Sequence, residues 1–197
     1  MTDKTKKEVK PILDRPNIVR TKVRIRGLTS LLVNAANEEV VNSILKTQTT
    51  GKSARREPKN VENEFRKSLY PQQNGHHVFK SIAVKKSIVG AAHTFAPNIP
   101  KTLARGVFIP IDWLIIEGPE PNPRQDMVRV GMKKADIRIR AEFKEWEMEI
   151  PLEFDENGPM TLDMIINLLD IAGHNVGIGD WRPSCGGMHG RFEVISG

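Results

Sequence analysis

Hydrophobic residues first fall into a regular pattern at residues 17–27, NIVRTKVRIRG, where Val19, Thr21, Val23 and Ile25 alternate with Arg20, Lys22, Arg24 and Arg26. A period of two puts the first set on one face of a strand and all four cations on the other. After Gly27 the pattern predicts a helix from about Ala35 to Lys46, with Asn34 as its cap and Glu38 and Glu39 at the positive end of the dipole. Residues 47–77 lose this periodicity and read as a polar, basic excursion, with a tight turn at Asn74-Gly75 near its end. From Phe79 to Phe95 the spacing turns helical, with Phe79, Ile82, Ala83, Ile88 and Ala92 as the apolar stripe and Pro97 and Pro100 beyond its end. The aliphatic run at 106–118 predicts a buried strand, with Pro110 pointing to an edge or a bulge.

Pro119, Pro121 and Pro123 make a stiff turn. Ile137, Ile139, Ala141 and Phe143 then alternate with Arg138, Arg140, Glu142 and Lys144. The apolar phase next jumps by one residue to Trp146, Met148, Ile150, Leu152 and Phe154, which predicts a tight hairpin or a bulge at Lys144-Glu145. A capped helix follows, with Thr161 at its start and Gly173 as its stop, and RFEVIS closes the chain as a strand. The succession of elements predicts an α+β fold, a mostly antiparallel sheet with helices on one face in the ferredoxin-like manner.

The chain has 197 residues, enough for one domain. The expected division is a basic, flexible arm over 1–16 and a single domain over 17–197 that carries the insertion at about 47–77. A single cysteine, Cys185, makes no internal bridge, and no apolar stretch approaches 18 residues. The opening MTDKTKKEVKPILDRP has no apolar core, so the expectation is a soluble, cytoplasmic protein without a membrane partner. Net charge is +6, unevenly distributed: residues 1–110 hold 21 Lys and Arg against 8 Asp and Glu, a net +13, whereas residues 111–197 hold 9 against 16, a net −7. That asymmetry points to a polyanion, with nucleic acid ahead of membrane because no basic amphipathic helix shows an aromatic face. The alternative is a basic protein that merely stays soluble.

Gly51-Lys52-Ser53 fails as a phosphate-binding loop because the pattern needs glycine at position 46, where Lys46 stands. His174, Asp180, Cys185 and His189 lack the paired spacing of a structural zinc site, and no metal or cofactor is expected. The stretch GIGDWRPSCGGMHGRFEV at 177–194 carries more information. Its glycines, Gly177, Gly179, Gly186, Gly187 and Gly190, would let backbone amides approach an anion, with Arg182 and Arg191 on phosphate and Trp181 stacked on a base. The competing reading is a bulge and turn that joins the last helix to the last strand, with Trp181 in the core.

A helix ending in Ala-Gly, then GIG, an arginine, a glycine pair and GRFEV as the last strand resembles the RAMP superfamily, the RRM-like proteins of CRISPR systems. The opening VRIRGLTSLLVN is similar to the first strand of their guide-coating backbone subunits. Standalone chains of this kind are also similar to bacteriophage products, which implies a viral origin and the host cytoplasm. The resemblance implies that the loop at 177–190 and the basic first strand flank a nucleic-acid groove. It also implies that residues 47–77, with Lys52, Arg55 and Arg56, fill the place of the thumb-like insertion. RAMP endonucleases place a histidine near the first helix, where NAANEEVVNSIL has none. Target-cleaving subunits use a loop aspartate, for which Asp14 and Asp180 are the candidates.

The leading expectation is a non-enzymatic binder of single-stranded RNA or DNA that assembles as a homo-oligomer along the strand. The expected contacts are Arg20, Lys22, Arg24, Arg26, Lys52, Arg55, Arg56, Gly177, Gly179, Trp181, Arg182, Gly187, Gly190 and Arg191. Two alternatives stand beside it. One is a metal-independent RNA endonuclease with His76, His77 or His189 as general base. The other is an interaction protein that copies a CRISPR subunit and binds a CRISPR or host protein partner.

Overall fold

The computed structural model describes residues 15–35, 38–51, 60–130 and 134–196. In chain order the elements are β1 (Ile18–Gly27), β2 (Leu31–Val33), α1 (Glu38–Thr50), α2 (Val61–Ser68), β3 (Val78–Lys80), α3 (Ser81–Thr94) and α4 (Lys101–Ala104). They continue with β4 (Trp113–Ile115), β5 (Asn122–Val130), β6 (Lys134–Phe143), β7 (Glu147–Asp155), α5 (Leu162–Asn175) and β8 (Phe192–Ser196).

β1 pairs antiparallel with β7 on one side and β8 on the other. Single bridges from Phe108 to Glu153 and from Glu117 to Glu147 lay the 108–117 segment along the remaining edge of β7. With α3 between β1 and that segment, and α5 between β7 and β8, the path is β-α-β-β-α-β with β1 and β7 central. This is the ferredoxin-like, RRM-like plan expected from the pattern. Val84, Ile88 and Ala91 of α3 and Ile165, Leu168 and Leu169 of α5 are buried in one core with Val23 and Ile25 of β1 and Met148, Ile150 and Leu152 of β7. Each large aliphatic side chain buried there contributes about 1.5–3 kcal/mol. A second sheet, ordered β2-β6-β5, and the β3-β4 pair complete the strands.

Several local expectations change. The first helix is shifted to Glu38–Thr50, and the Asn34 side chain donates to Asp180 at 3.4 Å instead of capping it. The polar excursion contains a second helix, α2, which begins at Asn60: its side-chain oxygen accepts from the amides of Glu62 and Asn63 at 2.9 and 3.3 Å. Phe65, Leu69 and Tyr70 then pack on the core, so this segment is ordered by tertiary burial that its sparse apolar residues do not advertise. The tight turn stands as expected, with positive φ at both Asn74 and Gly75 and a bridge between Gln73 and His76.

On α3 the buried stripe runs through Val84, Ser87, Ile88, Ala91 and Ala92, while Ile82 is half-exposed. The buried strand expected over 106–118 is reduced to the short β4 and two isolated bridges, with Phe108, Ile111 and Ile115 exposed, because Pro110 interrupts the run and the segment lies at a sheet edge. The phase jump at Lys144-Glu145 is neither a hairpin nor a bulge. β6 pairs with β5 and β2, and the chain then bends at these two residues and enters the other sheet as β7 beside β1. One residue of phase change aims Phe143 and Trp146 into the same core from two sheets. Gly173 lies inside α5 against Phe192, and the helix runs on to Asn175.

Candidate nucleic-acid interface

β1 places Arg20, Lys22, Arg24 and Arg26 on the sheet face opposite the helices, as the alternation predicts. β1 is a central strand, however, and its neighbour β7 presents glutamates on the same face. Arg20 pairs with Glu153 at 2.6 Å and Lys22 with Glu149 at 2.7 Å. Arg24 and Arg26 share Glu147, each at 2.8 Å, and Arg24 also meets Glu117. The hydrogen bond from Arg24, then that from Arg26, holds the Glu147 carboxyl below its ordinary range. The basic strand of one half of the chain is thus laid against the acidic strand of the other. Lys52, Arg55 and Arg56 lie outside the described residues.

The glycine segment joins α5 to β8 as a compact double-backed loop. Ile178 donates to the Gly190 carbonyl at 2.9 Å, Gly190 donates to Ser30 at 2.9 Å, and Asp180 donates to Leu32 at 2.8 Å, which fixes the loop to the turn after β1 and to β2. This geometry requires glycine at several positions of the loop. Gly179 and Gly190 have φ of +80° and +65°, and a side chain at Gly190 would collide with the Ile178 carbonyl oxygen. The amides of Gly177 and Gly187 donate to Ala172 at 2.8 Å and Arg182 at 3.1 Å, so the glycines serve chain crossing more than anion contact.

Beneath the loop lies a polar network that the pattern conceals. Arg140, on the polar side of the alternation in β6, is only 1% exposed. Its Nε donates to Asp180 at 2.6 Å, its Nη1 donates to Asp126 at 3.0 Å, and its guanidinium lies 4.6 Å from the centre of the Trp181 ring. Arg124 adds bonds to Asp126 and, at 2.9 Å, to Glu142. Trp181 also stacks near-parallel on His189, with ring centres 6.4 Å apart. Its ring is therefore engaged within the chain. The missed signal was the carboxylate trio Asp126, Glu142 and Asp180, which is too spread along the sequence to announce a buried arginine.

Two clefts flank this loop. The first, about 480 Å³, lies between α3 and the loop limb at 176–184. Lys80, Lys86 and Arg182 line it together with Tyr70, and Asp180, already held by Arg140, is the sole carboxylate among the described residues of its wall. Arg182 is braced by its bond to the Gly179 carbonyl at 3.0 Å. Lys80 lies over the Tyr70 and Trp113 rings at 5.5 and 5.7 Å. Burial raises the Tyr70 phenol above its ordinary pKa, so Tyr70 enters the cleft as a neutral ring. Lys85, by contrast, turns away and bonds the carbonyls of Ala104, Arg105 and Val107, and burial lowers its pKa to about 8. Lys80 and Lys86 were not singled out from the sequence.

The second cleft, about 630 Å³, lies on the other side of the loop and holds His174, His189 and Arg191. Burial, then the nearby Arg124, lowers the His189 pKa. The other histidines stand apart: His76 is exposed in the tight turn, and His77 meets Glu120 at 2.9 Å and the edge of Phe143. His174, Asp180, Cys185 and His189 do not converge, and among the described residues no three metal-binding side chains cluster. Among the described residues no helix is long and apolar enough to cross a membrane.

Fold and clefts together define an α+β protein of ferredoxin-like plan with cationic recesses on either side of a glycine-rich loop. No family model matches the chain. No curated protein matches it by sequence. Among solved structures it is similar to Cmr6 from Pyrococcus furiosus, with 11% identity and a TM-score of 0.38 over 91% of this chain and 99% of that one. The fold rests on the chain's own geometry.

Proposed function

We propose that the protein binds single-stranded nucleic acid without acting on it chemically, with the phosphate backbone seated in the cleft between α3 and the glycine loop. The observation that carries this reading is the meeting of Lys80, Lys86 and Arg182 in one recess, none of them paired with a described carboxylate. A volume of about 480 Å³ lies in the range that buries a small ligand, a size that suits an unpaired nucleotide. The first turn of α3 adds to the field, because Ile82 and Ala83 line the recess and Lys80 offers no side-chain cap to the first amides. Of the expected contacts, Gly177, Gly179 and Arg182 line this recess. The β1 cations act at most as a background field, since β7 already supplies their counter-charges. Assembly side by side along the strand, on RNA or DNA, belongs to the same reading, as does membership of a CRISPR-type complex.

Fluorescence anisotropy with labelled single-stranded RNA, single-stranded DNA and duplex at two salt concentrations tests it. The expected result is salt-sensitive binding of single strands that is lost in the triple variant Lys80→Ala/Lys86→Ala/Arg182→Ala. Wild-type protein that binds none of them at low salt would sink the reading. The stoichiometry of the same titration on strands of increasing length reports assembly.

A further inference from the structure

The second cleft has a different chemistry from the first. It is walled by the turn after β1 (Thr29, Ser30), the last turn of α5 (His174) and the far limb of the loop (Met188, His189, Arg191). Among the described residues no carboxylate lines it. Arg191 is clamped rather than loose: Nε donates to the His174 carbonyl at 3.2 Å, Nη2 donates to the His174 ring at 2.7 Å, and its backbone amide donates to the Thr29 hydroxyl at 3.0 Å. The Nη1 amino group makes no hydrogen bond to a described residue. Ser30 Oγ and His189 Nδ1 are 2.9 Å apart. When that hydroxyl gives its hydrogen to Nδ1, Nε2 keeps the ring hydrogen and is a second donor. Lowered basicity, from burial first, keeps His189 a neutral donor near pH 7.

We infer that this cleft binds a phosphomonoester, the terminal phosphate of a nucleotide or of a strand. Two elements bring three donors to the recess, the Thr29 hydroxyl from the turn and Arg191 Nη1 and His189 Nε2 from the loop limb, and a monoester has three free oxygens to take them, whereas an internal diester has two and a carboxylate is flat with two. The monoester also carries a charge of about −1.5 to −2 at neutral pH, matched here by one arginine and uncharged donors with no acid among the described residues of the lining. Met188, 77% exposed at the rim, offers apolar surface to the attached sugar or base. The nucleic-acid reading supplies only the carrier; the phosphate site stands or falls separately.

The test has two arms on the full chain. In the first, inorganic phosphate, adenosine 5′-monophosphate and adenosine are titrated by calorimetry. In the second, one single strand is compared by anisotropy as its 5′-phosphate, its 3′-phosphate and its unphosphorylated form. The monophosphate is expected to bind and adenosine not, and one phosphorylated strand to bind about tenfold tighter than the unphosphorylated one. Arg191→Met should abolish both differences, and Arg191→Lys should restore part of them in a protein whose melting curve matches wild type. Lys80→Ala/Lys86→Ala should weaken all three strands equally and leave the ratio intact. Monophosphate binding without any strand binding supports this site and overturns the nucleic-acid reading. Strands that bind equally with and without a terminal phosphate, with the monophosphate no better than adenosine, overturn this site and leave that reading standing.

Discussion

The outer face of β1 and the cleft beside α3 are both rows of cations on ordered elements, yet they differ in what faces them. On the sheet, Glu147, Glu149 and Glu153 of β7, with Glu117, answer Arg20, Lys22, Arg24 and Arg26 one by one. In the cleft, Lys80, Lys86 and Arg182 face, among the described residues, a single carboxylate that Arg140 already holds. Four cations in one short strand are the louder signal in sequence and the quieter one in space. What decides an anion site is the charge left over after the chain has satisfied itself.

That comparison can be broken in several ways. The largest effect should come from Arg140→Leu, which leaves Asp180 without its closest cation in a buried network. Unfolding by urea should show a loss of about 3–5 kcal/mol, and an unchanged midpoint would mean that the loop holds itself. Next comes the triple cleft variant, for which single-strand affinity should fall about a hundredfold at low salt, from roughly 1 kcal/mol per contact, the usual net worth of a hydrogen bond. The slope of log affinity against log salt should lie near −2 for the wild type and approach zero in the variant, at about 0.7 per phosphate on a single strand.

On the sheet, Arg20→Ala/Lys22→Ala should change affinity by less than about twofold and leave that slope alone. Glu149→Gln/Glu153→Gln should sharpen the contrast by releasing two cations, so that binding strengthens and the slope steepens. If instead the β1 variant abolishes binding and the cleft variant does not, the two regions have been assigned the wrong way round. The smallest effect is acidic. Because Glu147 titrates below its ordinary range in the folded state, its contribution to stability is complete at neutral pH and fades as pH falls through that depressed value. Melting temperatures of wild type and Glu147→Gln should therefore differ at pH 7 and converge in acid.

Much of the fold is legible because it depends on local period. The alternation in β1, the Thr161 cap of α5 and the Asn74-Gly75 turn are short-range facts. The Thr161 hydroxyl indeed accepts from Met164 at 3.3 Å. The failures occur where a distant partner overrules the pattern. Asn34 is a good cap in isolation but lies beside Asp180, and Arg140 sits on a polar face that happens to turn inward over Asp126 and Asp180. Gly173 has the composition of a helix stop, but the backbone and ring of Phe192 pack against it and the helix continues. Of the candidate site, Arg182, Arg191 and the loop were visible through glycine and charge. Lys80 and Lys86 were not, since nothing near them in sequence says that α3 would face the loop.

The central position of β1 also has a consequence for synthesis. Its partner β7 begins at Glu147, 120 residues after β1 ends at Gly27. At about 5–20 residues per second, the ribosome needs roughly 6–24 s to supply that partner. Throughout that interval the nascent chain carries Arg20, Lys22, Arg24 and Arg26 without the glutamates that later neutralise them, close to a ribosomal surface of RNA. The strand that is least able to hold a polyanion in the finished molecule is the one most exposed to it while the molecule is being made.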